Sequence, residues 1–289
     1  MSTADNLEKG YSIASWKDDP WSPEGRERYE TALKEFSILL NHPWFEDILE
    51  KNKVSILDIG AGKGIGGIAL AKALKETNDV NEVKLTMIDL RDTALKDALR
   101  FAKEEEIHSA KVHKLDATKA HTLGKFDIVL MYGAILVHFN SWNLMRLFSS
   151  ATQALEEKGV IIVEEMDRTH ILFTRGYSSI LVEKADPRDL SISVHADYDI
   201  INGSYIRNFI RLRQWDIVSL PLNFRSISTI ASILWLFVKN IDIAPTFKPQ
   251  IYFILGKTPR KKILPIDLEK DPEVVLRKTL WQPSYIHSN

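Results

Sequence analysis

Ile56-Leu57-Asp58-Ile59-Gly60-Ala61-Gly62-Lys63-Gly64-Ile65-Gly66-Gly67 is the stretch on which the reading of this chain turns. The short apolar run from Val54 to Ile59 ends in closely spaced glycines and passes directly into a segment with helical spacing, Ile65 to Leu74. A parallel strand covered on both faces reads this way. Glycines after such a strand allow positive φ and let a ligand approach the backbone, while the following helix offers free N–H groups. The string is not a P-loop, since no Lys-Ser/Thr pair follows the glycines. Gly62-Lys63-Gly64-Ile65-Gly66-Gly67 also fits the GxGxxG dinucleotide fingerprint, so the bend alone leaves the ligand open.

Outward from this bend, the alternation of strand and helix continues. Strands are expected at Val83 to Leu90, Lys111 to Leu115, Phe126 to Met131 and Val160 to Val163. Helices are expected at Thr93 to Glu106 and Trp142 to Leu155, the latter with Leu144, Leu147, Phe148 and Ala151 on one face. Five strands alternating with helices imply a doubly wound α/β fold with a parallel sheet covered on both sides. Upstream, Ser22-Pro23-Glu24 reads as a helix start leading to about Leu40, and Pro43 restarts a short helix. The first twenty or so residues read as weakly structured. Downstream, Met166 to Gly203 has no clean period. Ser204 to Arg213 reads as helix, Asp216 to Leu220 as strand, Ile227 to Val238 as an apolar helix and Gln250 to Gly256 as the last strand. A tail helix, Pro272 to Leu280, is capped by Asp271.

Three features narrow the ligand. Asp58 lies inside the strand end, two residues before Gly60, where a carboxylate suits a ligand carrying positive charge. S-adenosylmethionine carries both a sulfonium and an ammonium. Asp89 ends the second strand and can accept both ribose hydroxyls; it follows Gly60 by 29 residues, against roughly 20 in the dinucleotide fold. Leu115-Asp116-Ala117 places an acid at the end of the third strand, where an adenine amino group could donate.

With these residues in place, Lys53 to Lys257 resembles the class I S-adenosylmethionine-dependent methyltransferase family. Ile56 to Gly64 looks like its glycine-rich motif, Ile88-Asp89 like its ribose-binding acid, and Asp116-Ala117 like its adenine-side motif. Leu155-Glu156-Glu157-Lys158-Gly159 is similar to the turn before its fifth strand, with Glu157 in place of the usual Pro. The resemblance implies a seven-stranded, mostly parallel sheet with an antiparallel last strand, an N-terminal helical cap (1–52), lid insertions at about 166–203 and 223–248, and a tail from 258 to 289. It assigns S-adenosylmethionine to Asp58, Gly60, Ala61 and Gly62, to Asp89 and Leu90, to Asp116 and Ala117, and to Met131 and Tyr132.

Tyr132-Gly133-Ala134-Ile135-Leu136-Val137-His138-Phe139 is similar to the "LHH" segment of the branch that methylates small molecules, with Val137 at the first His. The Asn/Asp-Pro-Pro-Tyr/Phe signature of many amino-group methylating enzymes is missing. A small-molecule methyl acceptor is therefore expected. Methylation of protein or RNA, a non-catalytic cofactor-binding protein, and a nicotinamide oxidoreductase remain as alternatives. His138, His170 and His195 are the candidate general bases, because an unperturbed imidazole titrates near neutrality. Glu164, Glu165, Asp167 and His170 could be drawn as a metal cluster, but strand-end charges in solvent look the same and no metal is expected. The Ile227–Val238 helix is apolar on nearly all sides, which suits core, an acceptor lid or a homodimer interface.

Composition agrees with this class. Lys plus Arg number 38 against 39 Asp plus Glu, so no net field recruits nucleic acid or an anionic membrane. Cysteine is absent, which excludes disulfides, Cys-ligated zinc and thiolate nucleophiles. No secretory signal or bilayer-spanning run is evident, and a cytoplasmic location is expected.

Overall fold

The structure is a computed structural model, which describes residues 2–14, 16–77 and 80–280 of the 289. Helix α1 (Thr3–Ile13) opens the chain, closed at its start by a reciprocal cap between Ser2 and Asp5. This corrects the expectation of weak structure there. Helix α2 (Pro23–Leu39) starts as the sequence indicates: Ser22 accepts from the Gly25 N–H and Pro23 occupies the first turn. A 3-10 turn at Pro43–Phe45 leads into the short α3 (Glu46–Leu49).

The central unit follows as β1 (Lys53–Ile59), α4 (Ile65–Lys75), β2 (Glu82–Asp89), α5 (Asp92–Glu104), β3 (Lys111–Lys114), β4 (Phe126–Met131), α6 (Ser141–Gln153) and β5 (Leu155–Met166). After α7 (Arg168–Arg175) come β6 (Ile180–Asp186), β7 (Asp189–Asp199), β8 (Ser204–Arg211) and β9 (Asp216–Leu222). The chain returns through α8 (Ile227–Trp235), β10 (Val238–Pro245) and β11 (Ile251–Pro259), and α9 (Glu273–Arg277) lies in the tail.

One sheet has seven strands in the order β10-β11-β5-β4-β1-β2-β3. β1, β2, β3, β4 and β5 run parallel, and the last strand, β11, runs antiparallel to both neighbours. This is the doubly wound, mostly parallel sheet that the sequence implies. Alternate residues of β1 serve opposite faces, as the pleat requires. Ile56 packs with Phe36, Phe45 and Phe101 under α2, α4 and α5. Leu57 and Ile59 pack with Leu147, Phe148, Ile230 and Leu234 under α6 and α8.

β6, β7, β8 and β9 form a second, wholly antiparallel sheet. The segment with no clean period is thus ordered, and the insertion runs on to Leu222. The expected helix at Ser204 to Arg213 is corrected to strand β8, whose buried positions include Arg207 and Phe209. Helix α1 packs on this sheet, with Ile13 and Ala14 against Phe209, Val218 and Leu220.

The apolar helix is shorter than expected. It ends at Trp235, and Val238 already belongs to β10, because Val238 pairs with Pro259. It is not buried all round: Ile227, Ile230, Ala231 and Leu234 face the core, while Trp235 and Leu236 are exposed. The tail helix has Pro272 rather than Asp271 at its start, since Asp271 is drawn to Arg146 at 2.5 Å.

Candidate active site

The site lies at the carboxyl ends of β1, β2 and β4, where the strand order reverses. The bend after β1 carries positive φ at Gly60, Gly62 and Gly64, and the Gly60 and Ala61 N–H groups donate to the Ile88 carbonyl at 2.8 and 2.9 Å. Close approach is explicit at Gly67, where a Cβ would stand 2.5 Å from Asp58 Oδ2. That is why α4 begins with paired glycines.

Asp58 is 1% exposed. Its Oδ2 accepts from the Gly67 N–H at 3.0 Å, and its Oδ1 is buried with no hydrogen-bond partner. Burial pushes this carboxyl up to about 7, with Asp89 adding to the rise and the Gly67 N–H opposing it. An unpartnered buried carboxylate oxygen beside a glycine bend is the fit expected for a ligand ammonium.

Asp89 is also buried. Its Oδ2 accepts from the Gly62 N–H at 2.8 Å, and its Oδ1 from the Arg91 N–H at 2.8 Å and Arg91 Nε at 3.3 Å. A carboxylate offers about four lone-pair sites, so a diol reaching Asp89 competes with the Arg91 side chain. Arg91 stacks 3.7 Å from the Tyr11 ring centroid and reaches Asp18 at 3.5 Å.

Two cavities meet here. One, of about 790 Å³, is lined by Asp89, Leu90, Asp116 and Ala117. The other, of about 740 Å³, is lined by Asp58, Ala61, Gly62 and Tyr132 and extends below α1, α7 and the second sheet. Tyr11, Gly60, Arg91, Ile135 and His138 line both. An elongated ligand on the glycine bend would span the two. Asp116 also caps a 3-10 turn, its Oδ1 accepting from the Thr118 N–H and hydroxyl at 2.8 and 2.7 Å.

Met131 is corrected: it is fully buried in the core under α6 and lines neither cavity. Its side chain points to the sheet face opposite Tyr132, which packs with Phe36 and α4. His170 is also corrected. It is exposed on the outer side of α7, and its backbone N–H donates to Asp167 Oδ1 at 2.8 Å. His195 lines neither cavity; its Nδ1 lies 2.9 Å from the Tyr177 hydroxyl, and it is Tyr177 that borders the second cavity.

His138 sits at the junction, 3.5 Å from the Tyr11 hydroxyl. Burial, with help from Arg168 and Arg91, holds its imidazole down at about 4. It is therefore neutral at physiological pH and a poor proton store. Its ring resonances should not move between pH 5.5 and 8; an NMR titration with a midpoint near 6.5 would contradict this environment.

Glu164, Glu165 and Asp167 serve the backbone. Glu164 Oε2 accepts from the Gly133 and Ala134 N–H groups at 2.8 and 3.1 Å, which holds Ala134 at φ 57°. Glu165 accepts from Leu136 and Met166, and Asp167 caps α7. Tyr11 and Arg91 border both cavities though the motif reading passes over them, and Glu164, drawn from the sequence only as part of a possible metal cluster, borders the second. Only Arg91, two positions after Asp89, sits close enough to a motif to be found from sequence.

This architecture, with a glycine bend between two buried aspartates on a seven-stranded sheet, matches a Rossmann-like methyltransferase fold. Residues 56–159 match the family model described as a methyltransferase domain. Over those residues the chain carries a methyltransferase domain.

Solved structures share the fold. The PH0226 protein of Pyrococcus horikoshii is 18% identical at a TM-score of 0.58, over 86% of this chain and 97% of that one. An S-adenosylmethionine-dependent methyltransferase of Clostridium acetobutylicum is 15% identical at 0.57, over 78% and 92%. The sugar N-methyltransferase KedS8 of Streptoalloteichus is 12% identical at 0.52, over 80% and 87%. No curated protein matches the chain by sequence. Among the described residues, no helix is long and apolar enough to cross a membrane.

Proposed function

We propose that this chain is an S-adenosylmethionine-dependent methyltransferase that acts on a small molecule. The observation that carries the reading is the second cavity. It is a half-open cleft of about 740 Å³ that runs from the glycine bend past Tyr11 of α1 and the 16–18 segment to α7 and the second sheet. Ligand pockets for small molecules span about 300–1,000 Å³, whereas a folded protein or RNA needs an open face. The likeness in fold to a sugar N-methyltransferase points the same way.

Bound S-adenosylmethionine supplies an electrophilic methyl on a sulfonium that leaves as a neutral thioether. The chain's part is alignment, which for a displacement of this kind is most of the catalysis. Asp58 holds the ammonium, Asp89 the ribose, and Leu90, Asp116 and Ala117 the adenine edge. Tyr132, Gly133 and Ala134, with the loop pinned by Glu164, wall the space where the methyl meets its acceptor. His138 orients the acceptor through a neutral nitrogen. On this reading, residues 1–52 cap a methyltransferase domain of 53–257, and 258–289 form a tail. Self-association would use the exposed end of α8 at Trp235 and Leu236, and sedimentation at rising concentration reads it.

The test is incubation with methyl-labelled S-adenosylmethionine and cell extract, followed by size separation. Label should appear in the small-molecule fraction. Label confined to protein or RNA would replace this reading with a macromolecular one.

A further inference from the structure

Helix α7 presents Arg168, Ile171, Leu172 and Arg175 to the second cavity. These are positions i, i+3, i+4 and i+7, one face of a helix. The face is a cation at each end, roughly 10 Å apart at 1.5 Å per residue, with two apolar side chains between them. The other side of α7 is turned outward, Phe173 being 88% exposed. Asp167 fixes the helix in place by accepting from the His170 N–H at 2.8 Å and the Ile227 N–H at 3.2 Å.

The arginines at this wall are short of partners. Arg168 Nε is buried with no hydrogen-bond partner. Its guanidinium reaches only Glu165 Oε1 and the Ala134 carbonyl, each at 3.5 Å, and Glu165 is already committed to two backbone N–H groups. Eight basic side chains line the cavity against four acidic ones: Asp18, Asp58, Glu164 and Glu183. Among the described residues, none of Lys17, Arg28, Arg175, Arg207 and Lys248 has a carboxylate oxygen within 4.0 Å. Lys17, Arg175 and Lys248 are exposed and Arg207 is held by Ser193, Ser178 and Tyr177, so the cost of unpaired charge falls chiefly on Arg168. Bound S-adenosylmethionine, with a sulfonium, an ammonium and one carboxylate, adds a further positive charge.

We propose that the methyl acceptor is an anion, a small molecule whose carboxylate or phosphate is gripped by Arg168 of α7, with Arg175 at the far end of the same face adding attraction at longer range. Its apolar body lies along Ile171 and Leu172 of α7, with Phe209 and Leu222 of the second sheet also lining the cavity. Guanidinium groups suit both oxyanions through paired N–H donors. This rests on the reading of the chain as a small-molecule methyltransferase and names the class of molecule it takes.

Calorimetric titration of the full chain, loaded with S-adenosylhomocysteine, tests it with four probes: 3-phenylpropionate, phenyl phosphate, neutral 3-phenylpropanamide and cationic phenethylamine. At least one anion should bind roughly tenfold or more tighter than the amide and the amine, and whichever anion binds better identifies the headgroup. Arg168→Gln should weaken the anion roughly tenfold, the loss of one charged hydrogen bond, and the exposed Arg175→Gln should weaken it less, both variants still binding S-adenosylhomocysteine. Equal or tighter binding of the amide or amine, no probe binding at all to loaded protein, or wild-type anion affinity in Arg168→Gln would overturn the proposal. Failure of the wild-type chain to bind S-adenosylhomocysteine would instead overturn the functional reading on which it stands.

Discussion

Replacing Asp89 by alanine is expected to cut the affinity for S-adenosylmethionine at least about 100-fold and to destabilise the ligand-free chain as well. Each charge-assisted hydrogen bond to a ribose hydroxyl is worth about 1.5–3 kcal/mol, so two of them give a loss of that order or more. The second effect comes from Arg91, which is buried and held by Asp89 Oδ1 through its backbone N–H and Nε. Removing one member of a buried pair leaves the other charge uncompensated, at about 3–5 kcal/mol. Asp18 at 3.5 Å and the Tyr11 ring remain beside Arg91, which puts the loss at the lower end. Calorimetry on the ligand and on unfolding reads both quantities; unchanged cofactor affinity would remove Asp89 from the site.

Asp58→Asn should have the opposite sign for stability. In the folded chain this carboxyl titrates at about 7, against 3.8 for the free side chain. The folded state therefore holds its proton to higher pH than the unfolded state does. Stability falls as the pH rises from about 4 to about 7, and the loss is complete above that, at about 4 kcal/mol. An asparagine can still accept from the Gly67 N–H and carries no charge to bury. The variant should gain stability relative to wild type at pH 8, and the gain should vanish near pH 4. The same change should weaken S-adenosylmethionine, because the unpartnered oxygen that meets its ammonium is gone. Denaturant melts at the two pH values decide it; equal stability differences at pH 4 and pH 8 would contradict the buried, proton-holding carboxyl.

What the sequence makes legible is the part in which local pattern and tertiary demand agree. β1 and β4 are mostly apolar runs because both faces of the sheet are covered, and the glycine bend is visible because Gly60, Gly62 and Gly64 hold positive φ and a Cβ at Gly67 would meet Asp58. The second sheet is harder to see. In Ser204-Tyr205-Ile206-Arg207-Asn208-Phe209-Ile210-Arg211, the apolar residues fall in pairs four apart, which looks helical. The strand instead buries Arg207, satisfied by Ser193, Ser178 and Tyr177, at a position where alternation leads one to expect an apolar residue. β10 hides behind the apolar helix that precedes it, because the run continues across the boundary. α1 is short and lacks a strong apolar stripe, although Ser2 and Asp5 carry its capping signal.

The candidate site divides along the same line. Asp58, Asp89 and Asp116 are readable because strand ends announce them. Tyr11 and Arg168 depend on how distant segments fold over the mouth, so no local pattern marks them. His138 lies where expected, but its neutrality comes first from burial and then from Arg168 and Arg91, all of which only the folded chain supplies.

The order of elements along the chain separates two tasks. On the proposed function, the donor's cradle is built within residues 56–159, and much of the acceptor wall is one later stretch, from Arg168 to Phe224, hung between β5 and α8. Such an arrangement lets the wall drift toward new compounds without retuning the machinery that handles the methyl, so chemistry can be inherited while clientele changes.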